Sequence, residues 1–201
     1  VKTEAWDSYI SFEPLGVVGS IMPWNFPMWQ VVRFAVPAMA AGNAIVVKPA
    51  SQSPGSGLRL QEAALEAGFP EGVFQVVTGD RTTAGHLIRS DVDVVSCTGS
   101  SETGKSVMRE AAKGLKKVIL ELGGSDPFIV LEDADVEAAA KGAAQGRFMN
   151  CGQSCIASKR FFVADAIAQE FLARFAEVAK GYRVGDPLDP KTDIGPLSSR
   201  S

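Results

Sequence analysis

Three side chains carry the parts of covalent chemistry at a carbonyl carbon: the thiol of Cys155, the carboxylate of Glu121 and the amide of Asn25. Cys155 closes the segment Phe148-Met149-Asn150-Cys151-Gly152-Gln153-Ser154-Cys155. Glu121 opens Glu121-Leu122-Gly123-Gly124, and Asn25 sits inside Pro23-Trp24-Asn25-Phe26-Pro27. A thiolate attacks carbon, an amide N–H stabilises the developing oxyanion, and a carboxylate activates the water that releases a thioester. Each residue also has an ordinary use. Cysteine is often a small buried hydrophobe, a carboxylate at a strand end meets solvent or caps a turn, and an asparagine between prolines suits an Asx turn. No one of the three is diagnostic alone.

The elements that must position them follow a repeating rhythm. Leu15 to Ile21, Ala44 to Val47, Val73 to Val77, Val92 to Ser96 and Val118 to Leu120 read as strands. Residues 28–41, Gly55 to Ala67, Thr83 to Arg89 and Thr103 to Ala112 read as the helices between them. This alternation predicts an α/β fold: a parallel sheet covered by helices, with strand carboxyl ends and helix N-termini on one edge. After Gly123-Gly124 the pattern restarts, with strands at Asp126 to Val130 and Arg160 to Val163 and helices at Val136 to Arg147 and Ile167 to Lys180. A domain boundary is expected near residues 122–126. Residues 1–15 read as an extended arm, and residues 181–201, rich in Gly, Pro and Asp, as mostly loop.

Composition narrows the function classes. The 201 residues are 46% hydrophobic, enough for a real core. The net charge is −3 with scattered Lys and Arg, which indicates no nucleic-acid surface. Three cysteines form no secreted disulfide framework and fit a reducing, cytoplasmic setting. No stretch reaches the ~20 apolar residues of a membrane helix. One histidine and spaced cysteines argue against a zinc site. The chain does not begin with Met, which hints at a processed or incomplete chain.

The loop Gly99-Ser100-Ser101-Glu102-Thr103-Gly104-Lys105-Ser106 matches the phosphate-binding pattern GxxxxGK[ST] between a strand and a helix. In one reading Lys105 holds nucleotide phosphates, and Ile129-Val130-Leu131-Glu132-Asp133 is an acidic strand end for magnesium. In another, Ser100 and the first helical N–H groups meet a dinucleotide pyrophosphate and Lys105 faces water. A plain N-cap turn is the third. The loop alone leaves these open. Its neighbours favour the second, because a nucleotide hydrolase has no evident use for Gly-Gln-Ser-Cys or Pro-Trp-Asn-Phe-Pro.

Together the segments resemble the aldehyde dehydrogenase superfamily. Pro23-Trp24-Asn25-Phe26-Pro27, Lys48-Pro49-Ala50, Thr98-Gly99-Ser100 with Gly104, Glu121-Leu122-Gly123-Gly124 and Asn150-Cys151-Gly152-Gln153-Ser154-Cys155 follow its order and spacing. Gly185-Asp186-Pro187 and Ile194-Gly195-Pro196 look like its later turns, so the resemblance covers nearly the whole chain. It implies an enzyme with a cofactor domain, a catalytic domain and a bridging hairpin, of which this chain looks like a middle section. Residues 1–13 would be an oligomerisation arm, 14–122 part of the Rossmann-like cofactor domain, and 123–201 the start of an α/β catalytic domain. The family's early strands and its Glu-x-Phe-Gly-Pro segment are not in this sequence.

The resemblance also assigns roles. Cys155 would be the nucleophile, Glu121 the general base, and Asn25 an oxyanion donor beside the Cys155 N–H. Trp24, Lys48, Ser51, Gly79, Thr98, Gly99, Ser100 and Leu122 would hold the cofactor. Ser51 occupies the position where a family carboxylate selects NAD, so NADP is expected to be preferred, with NAD still admissible. Arg33, eight residues after Asn25, matches an arginine of succinate-semialdehyde dehydrogenases that helps hold the substrate's distal carboxylate. It lies in an apolar run and would need a partner if buried. Arg147 is a second candidate. Cys151 would share a helical face with Cys155 if that stretch were a helix turn, which suggests a local disulfide under oxidation. The expected protein is a cytoplasmic homo-oligomer, dimer or tetramer, acting on a small aldehyde without nucleic-acid or membrane partners. A phosphate-loop nucleotide hydrolase and a non-catalytic nucleotide-binding fragment are the alternatives.

Overall fold

The computed structural model describes residues 3–199. Its chain divides into two compact units, one ending at Leu122 and the other starting at Gly123. Positions 1 and 2 of the expected arm, and positions 200 and 201 of the closing loop, lie outside the described residues. Residues 3–15 form no regular element, and Trp6, Tyr9, Ile10 and Phe12 are exposed. Among the described residues no helix is long and apolar enough to cross a membrane.

The first unit is a five-stranded parallel sheet of order β3-β2-β1-β4-β5. Its strands are β1 (Val17–Ile21), β2 (Ala44–Lys48), β3 (Phe74–Val76), β4 (Val94–Gly99) and β5 (Lys117–Leu122). Helices α1 (Trp29–Ala40), α2 (Pro54–Glu66), α3 (Arg81–Arg89) and α4 (Ser101–Ala112) make the crossovers. Central strands are apolar on both faces because helices cover both. One core cluster joins Val18, Val31, Ile45, Val47 and Phe74, and another Leu87, Val92, Val95, Cys97 and Val107.

Several elements run differently from the sequence pattern, each for a local reason. Helix α3 starts at Arg81 because the Asp80 carboxylate accepts from Thr82 N at 2.8 Å and Thr83 N at 3.4 Å. Helix α4 starts at Ser101 because Ser100 caps Thr103 N at 3.2 Å. Strand β4 runs on to Gly99, and β5 to Leu122, because their ladder continues through the pairs Thr98 with Glu121 and Gly99 with Leu122. Glu121 therefore lies within a strand rather than after one.

The second unit pairs β6 (Asp126–Val130) with β7 (Ser158–Val163) in parallel, joined by α5 (Val136–Phe148) and followed by α6 (Ala168–Gly181). Asp135 caps α5 through Ala138 N at 3.0 Å. Its core joins Val130, Ala140, Ala143 and Phe171 with partly buried Phe128, Phe161 and Phe175. Neighbouring rings there have centroids 5.4 to 6.4 Å apart, within the range of favourable aromatic pairing.

Candidate active site

At the carboxyl edge of the first sheet lies a cleft of about 560 Å³. Trp24, Lys48, Ser51, Thr98, Gly99 and Ser100 all line it, brought there by the ends of β1, β2 and β4. The N-terminus of α4 opens onto it and offers the positive end of a helix dipole to an anion. Two other residues with expected cofactor roles are not in the lining. Gly79 has φ +147 and leaves a Cβ no room beside Thr83, and its carbonyl accepts from Ser51 Oγ at 3.3 Å. Leu122 packs over Gly104, where a Cβ would stand 2.7 Å from both leucine methyls.

Charge in the cleft is unevenly neutralised. Glu102 is paired with Lys105 at 2.9 Å, and Glu110 with Lys113 at 2.8 Å and Arg89 at 3.5 Å. Lys48 and Arg81 also line the cleft, and among the described residues neither makes an ion pair. Burial lowers the Lys48 pKa, partly offset by the nearby Asp80 charge. The backbone N–H groups of Thr82 and Thr83 hold the Asp80 carboxyl below its ordinary range. Two cations without an ion-pair contact, Lys48 with Asp80 as a more distant counter-charge, suit an anionic ligand. Arg81 escaped the sequence reading because its only signal was its place as the first residue of α3, after a capping aspartate.

The phosphate-loop reading fails on geometry. Residues 101–104 are already helical, so no loop precedes the helix to wrap phosphates. Lys105 is spent on Glu102. The proposed acidic strand end belongs to β6, which pairs with β7 in a separate sheet.

Asn25 is half-buried in the connection from β1 to α1. Arg33 of α1 is not buried: it is 46% exposed and lies 3.3 Å from Glu121, itself 58% exposed. Exposed as it is, Arg33 needs no buried partner, and the protein carboxylate it meets is that of Glu121 on β5. In the second unit Cys155 is half-buried between Ser154 and Ala157, whose burial pins the segment.

The stretch before Cys155 is not a turn of right-handed helix. Asn150 (φ 53), Cys151 (φ 57) and Gly152 (φ 73) are all left-handed, so the shared helical face expected for Cys151 and Cys155 does not exist. Such a conformation costs a non-glycine residue roughly 1–2 kcal/mol, and strain of this kind concentrates at functional sites. Gln153 N donates to Asn150 O at 3.0 Å, and Gln153 Oε1 accepts from Ser198 N at 3.0 Å, which hold the turn. Gly152 suits the turn because its φ of +73 strains any side chain, whose Cβ would also stand 3.2 Å from Arg147 O. Arg147 is half-buried beneath this turn, with Nη2 3.5 Å from Gly152 O. Lys159 had no signal in the sequence, yet its ammonium meets three carbonyls of the Cys155 segment. Among the described residues no cluster of three or more His, Cys, Asp or Glu could hold a metal ion.

Comparison with known proteins gives the class. A model of the aldehyde dehydrogenase family matches residues 2–201, and this chain belongs to that family. A probable succinate-semialdehyde dehydrogenase [NADP(+)] of Synechocystis is 48% identical over 200 residues, which cover 99% of this chain and 44% of that protein. A succinate-semialdehyde dehydrogenase [NADP(+)] of Mycobacterium avium is 47% identical over 201 residues, 100% of this chain and 43% of that one. An NADP-dependent enzyme of E. coli has a crystal structure that superposes with a TM-score of 0.89 at 45% identity, covering 92% of this chain and 39% of that one. The nicotinamide adenine dinucleotide complex of PnpE gives a TM-score of 0.90 at 46% identity, covering 93% and 39%. The chain thus spans less than half the length of the relatives it matches.

Proposed function

We propose that the full-length protein oxidises a short ω-carboxy aldehyde, succinate semialdehyde or a near relative, to the free acid, with NADP preferred as hydride acceptor. The observation that carries this reading is Glu121, which pairs in register with Thr98 and so stands at the sheet edge that holds the cleft, in a chain of the aldehyde dehydrogenase family. The relatives named for succinate semialdehyde and NADP support the finer assignment.

In this mechanism Cys155 attacks the aldehyde carbon as thiolate. The Asn25 amide and the Cys155 N–H donate to the oxyanion of the thiohemiacetal, each donor lowering the barrier by roughly 3 kcal/mol. The bound nicotinamide supplies a hydride acceptor. Glu121 then takes a proton from the water that hydrolyses the Cys155 thioester, which gives a carboxylic acid and restores the thiol. Lys48 and Arg81 would hold the adenosine-side phosphate, and the α4 N-terminus with Ser100 the pyrophosphate. Ser51 stays directed at the Gly79 carbonyl, so the two cations carry the preference for NADP. Residues 14–122 act as the cofactor part and residues 123–201 as the catalytic part. The exposed aromatic arm supports a homo-oligomer, and three free thiols support a reducing compartment such as the cytoplasm.

The test is reduction of NADP and NAD by the full-length protein with succinate semialdehyde and uncharged aldehydes. The reading expects NADPH formation that disappears in Cys155→Ser. Turnover unchanged in that variant would end it.

A further inference from the structure

We propose that Lys159 is the residue that aims the oxyanion-binding N–H of Cys155. This rests on the reading of Cys155 as nucleophile. Its Nζ lies 3.2 Å from Ser154 O, 2.8 Å from Cys155 O and 3.1 Å from Ala157 O. An ammonium has three N–H donors and no acceptor, so this set uses all of them. Among the described residues Lys159 makes no ion pair, and the carbonyl dipoles alone answer its charge.

The consequence follows from peptide geometry. In a planar trans peptide the C=O and N–H point in opposite directions. Holding Ser154 O at the ammonium therefore turns the Cys155 N–H to the far side, away from the lysine. Holding Cys155 O fixes the next peptide plane as well. With both flanking planes fixed, φ and ψ of Cys155 are set, and the sulfur keeps only its side-chain rotation. The strained turn at residues 150–152 sits immediately upstream, so the segment needs such an anchor.

The strand itself is shaped to deliver the lysine. Asp126 pairs with Ser158 and Pro127 with Arg160, so Lys159 is skipped in the ladder. Proline has no N–H to offer there, and the extra residue makes a bulge of the kind that re-aims a side chain. Arg160 Nε donates to Ser125 O at 2.8 Å and holds the bulged strand in place. A compact ammonium suits three converging oxygens, whereas a planar guanidinium spreads its donors in a fork.

The experiment uses the full-length protein. Lys159→Ala is expected to keep its thermal midpoint within a few degrees, its KM for NADP, and stoichiometric alkylation of Cys155 by iodoacetamide. Its kcat should fall 10- to 100-fold and recover several-fold on addition of ethylammonium, which a merely structural lysine would not produce. Lys159→Arg should fall between wild type and Lys159→Ala. If Lys159→Ala does not fold, Lys159→Gln takes its place with the same expected kcat loss. Wild-type kcat in the folded variant, or a loss that added amine leaves unchanged, overturns the proposal. Cys155→Ser assayed in parallel separates the two levels: if it keeps activity, the nucleophile assignment fails, and if it is inactive while Lys159→Ala is normal, only the role of Lys159 fails.

Discussion

Replacing Arg33 by methionine separates its pairing with Glu121 from the role proposed for it, holding the substrate's distal carboxylate. Arg33 lies 3.3 Å from the Glu121 carboxylate, with the two side chains 46% and 58% exposed. Exposed ion pairs of this kind contribute about 0.2–1 kcal/mol. If the pair with Glu121 were its only role, Arg33→Met would lower kcat/KM at most about 5-fold, and equally for every aldehyde. A charge-assisted hydrogen bond to a substrate carboxylate contributes roughly 1.5–3 kcal/mol, which corresponds to roughly 10- to 150-fold. A guanidinium has five donors, so engaging a substrate does not require releasing Glu121. We expect Arg33→Met in the full-length protein to lose roughly 10- to 150-fold in kcat/KM for succinate semialdehyde, by the same estimate, and at most about 5-fold for butanal. The loss should fall mainly on KM, because the distal carboxylate is bound equally in ground and transition states. Steady-state NADPH formation with both aldehydes measures it. An equal loss for the two substrates would show that Arg33 acts only through Glu121, and the assignment to the ω-carboxylate would be withdrawn.

Two further outcomes follow from charge and burial. Arg81→Ala and Lys48→Met should each raise KM for NADP by about tenfold, the loss of one charge-assisted contact, with little change for NAD. Equal effects on both cofactors would remove the 2′-phosphate from the cleft's cations. The Lys48 pKa is lowered, chiefly by burial, so the charge proposed to attract NADP is lost as pH rises through that depressed value, and NADP affinity should fall there first. Cys97 gives a stability signature. Burial raises its pKa from 9.0 to about 11, so the folded state keeps a proton that the unfolded state releases between those values. Its contribution is complete below pH 9 and is lost as pH rises toward 11, with a slope of at most about 1.4 kcal/mol per pH unit. Urea midpoints of wild type and Cys97→Ala measured over this range should converge as pH rises. Parallel curves would show that the Cys97 proton plays no part.

The sequence by itself determined the alternation of strands and helices, the restart after Gly123-Gly124 and the family. Those are local or collinear signals: β-branched runs, apolar periodicity, and motifs kept in order along the chain. It also marked Asn25, Glu121 and Cys155, because each stands in a short segment of unusual composition. Tertiary structure decided what each charge meets. The Arg33 run looks buried when read linearly, yet the folded chain brings the Arg33 side chain to Glu121 of β5 and leaves the pair in solvent. Arg81 becomes a cleft cation only because the ends of β2 and β3 fold side by side. The left-handed turn before Cys155 reverses the handedness that its helix-like spacing suggests, since backbone dihedrals there answer to Gln153, Ser198 and Arg147 rather than to local propensity. Lys159 reaches three carbonyls through a register shift between two strands that lie more than 25 residues apart in the chain. Local pattern records what a residue is inclined to do. Which partner satisfies its charge or its hydrogen bonds depends on segments distant in sequence, and only the folded chain brings those together.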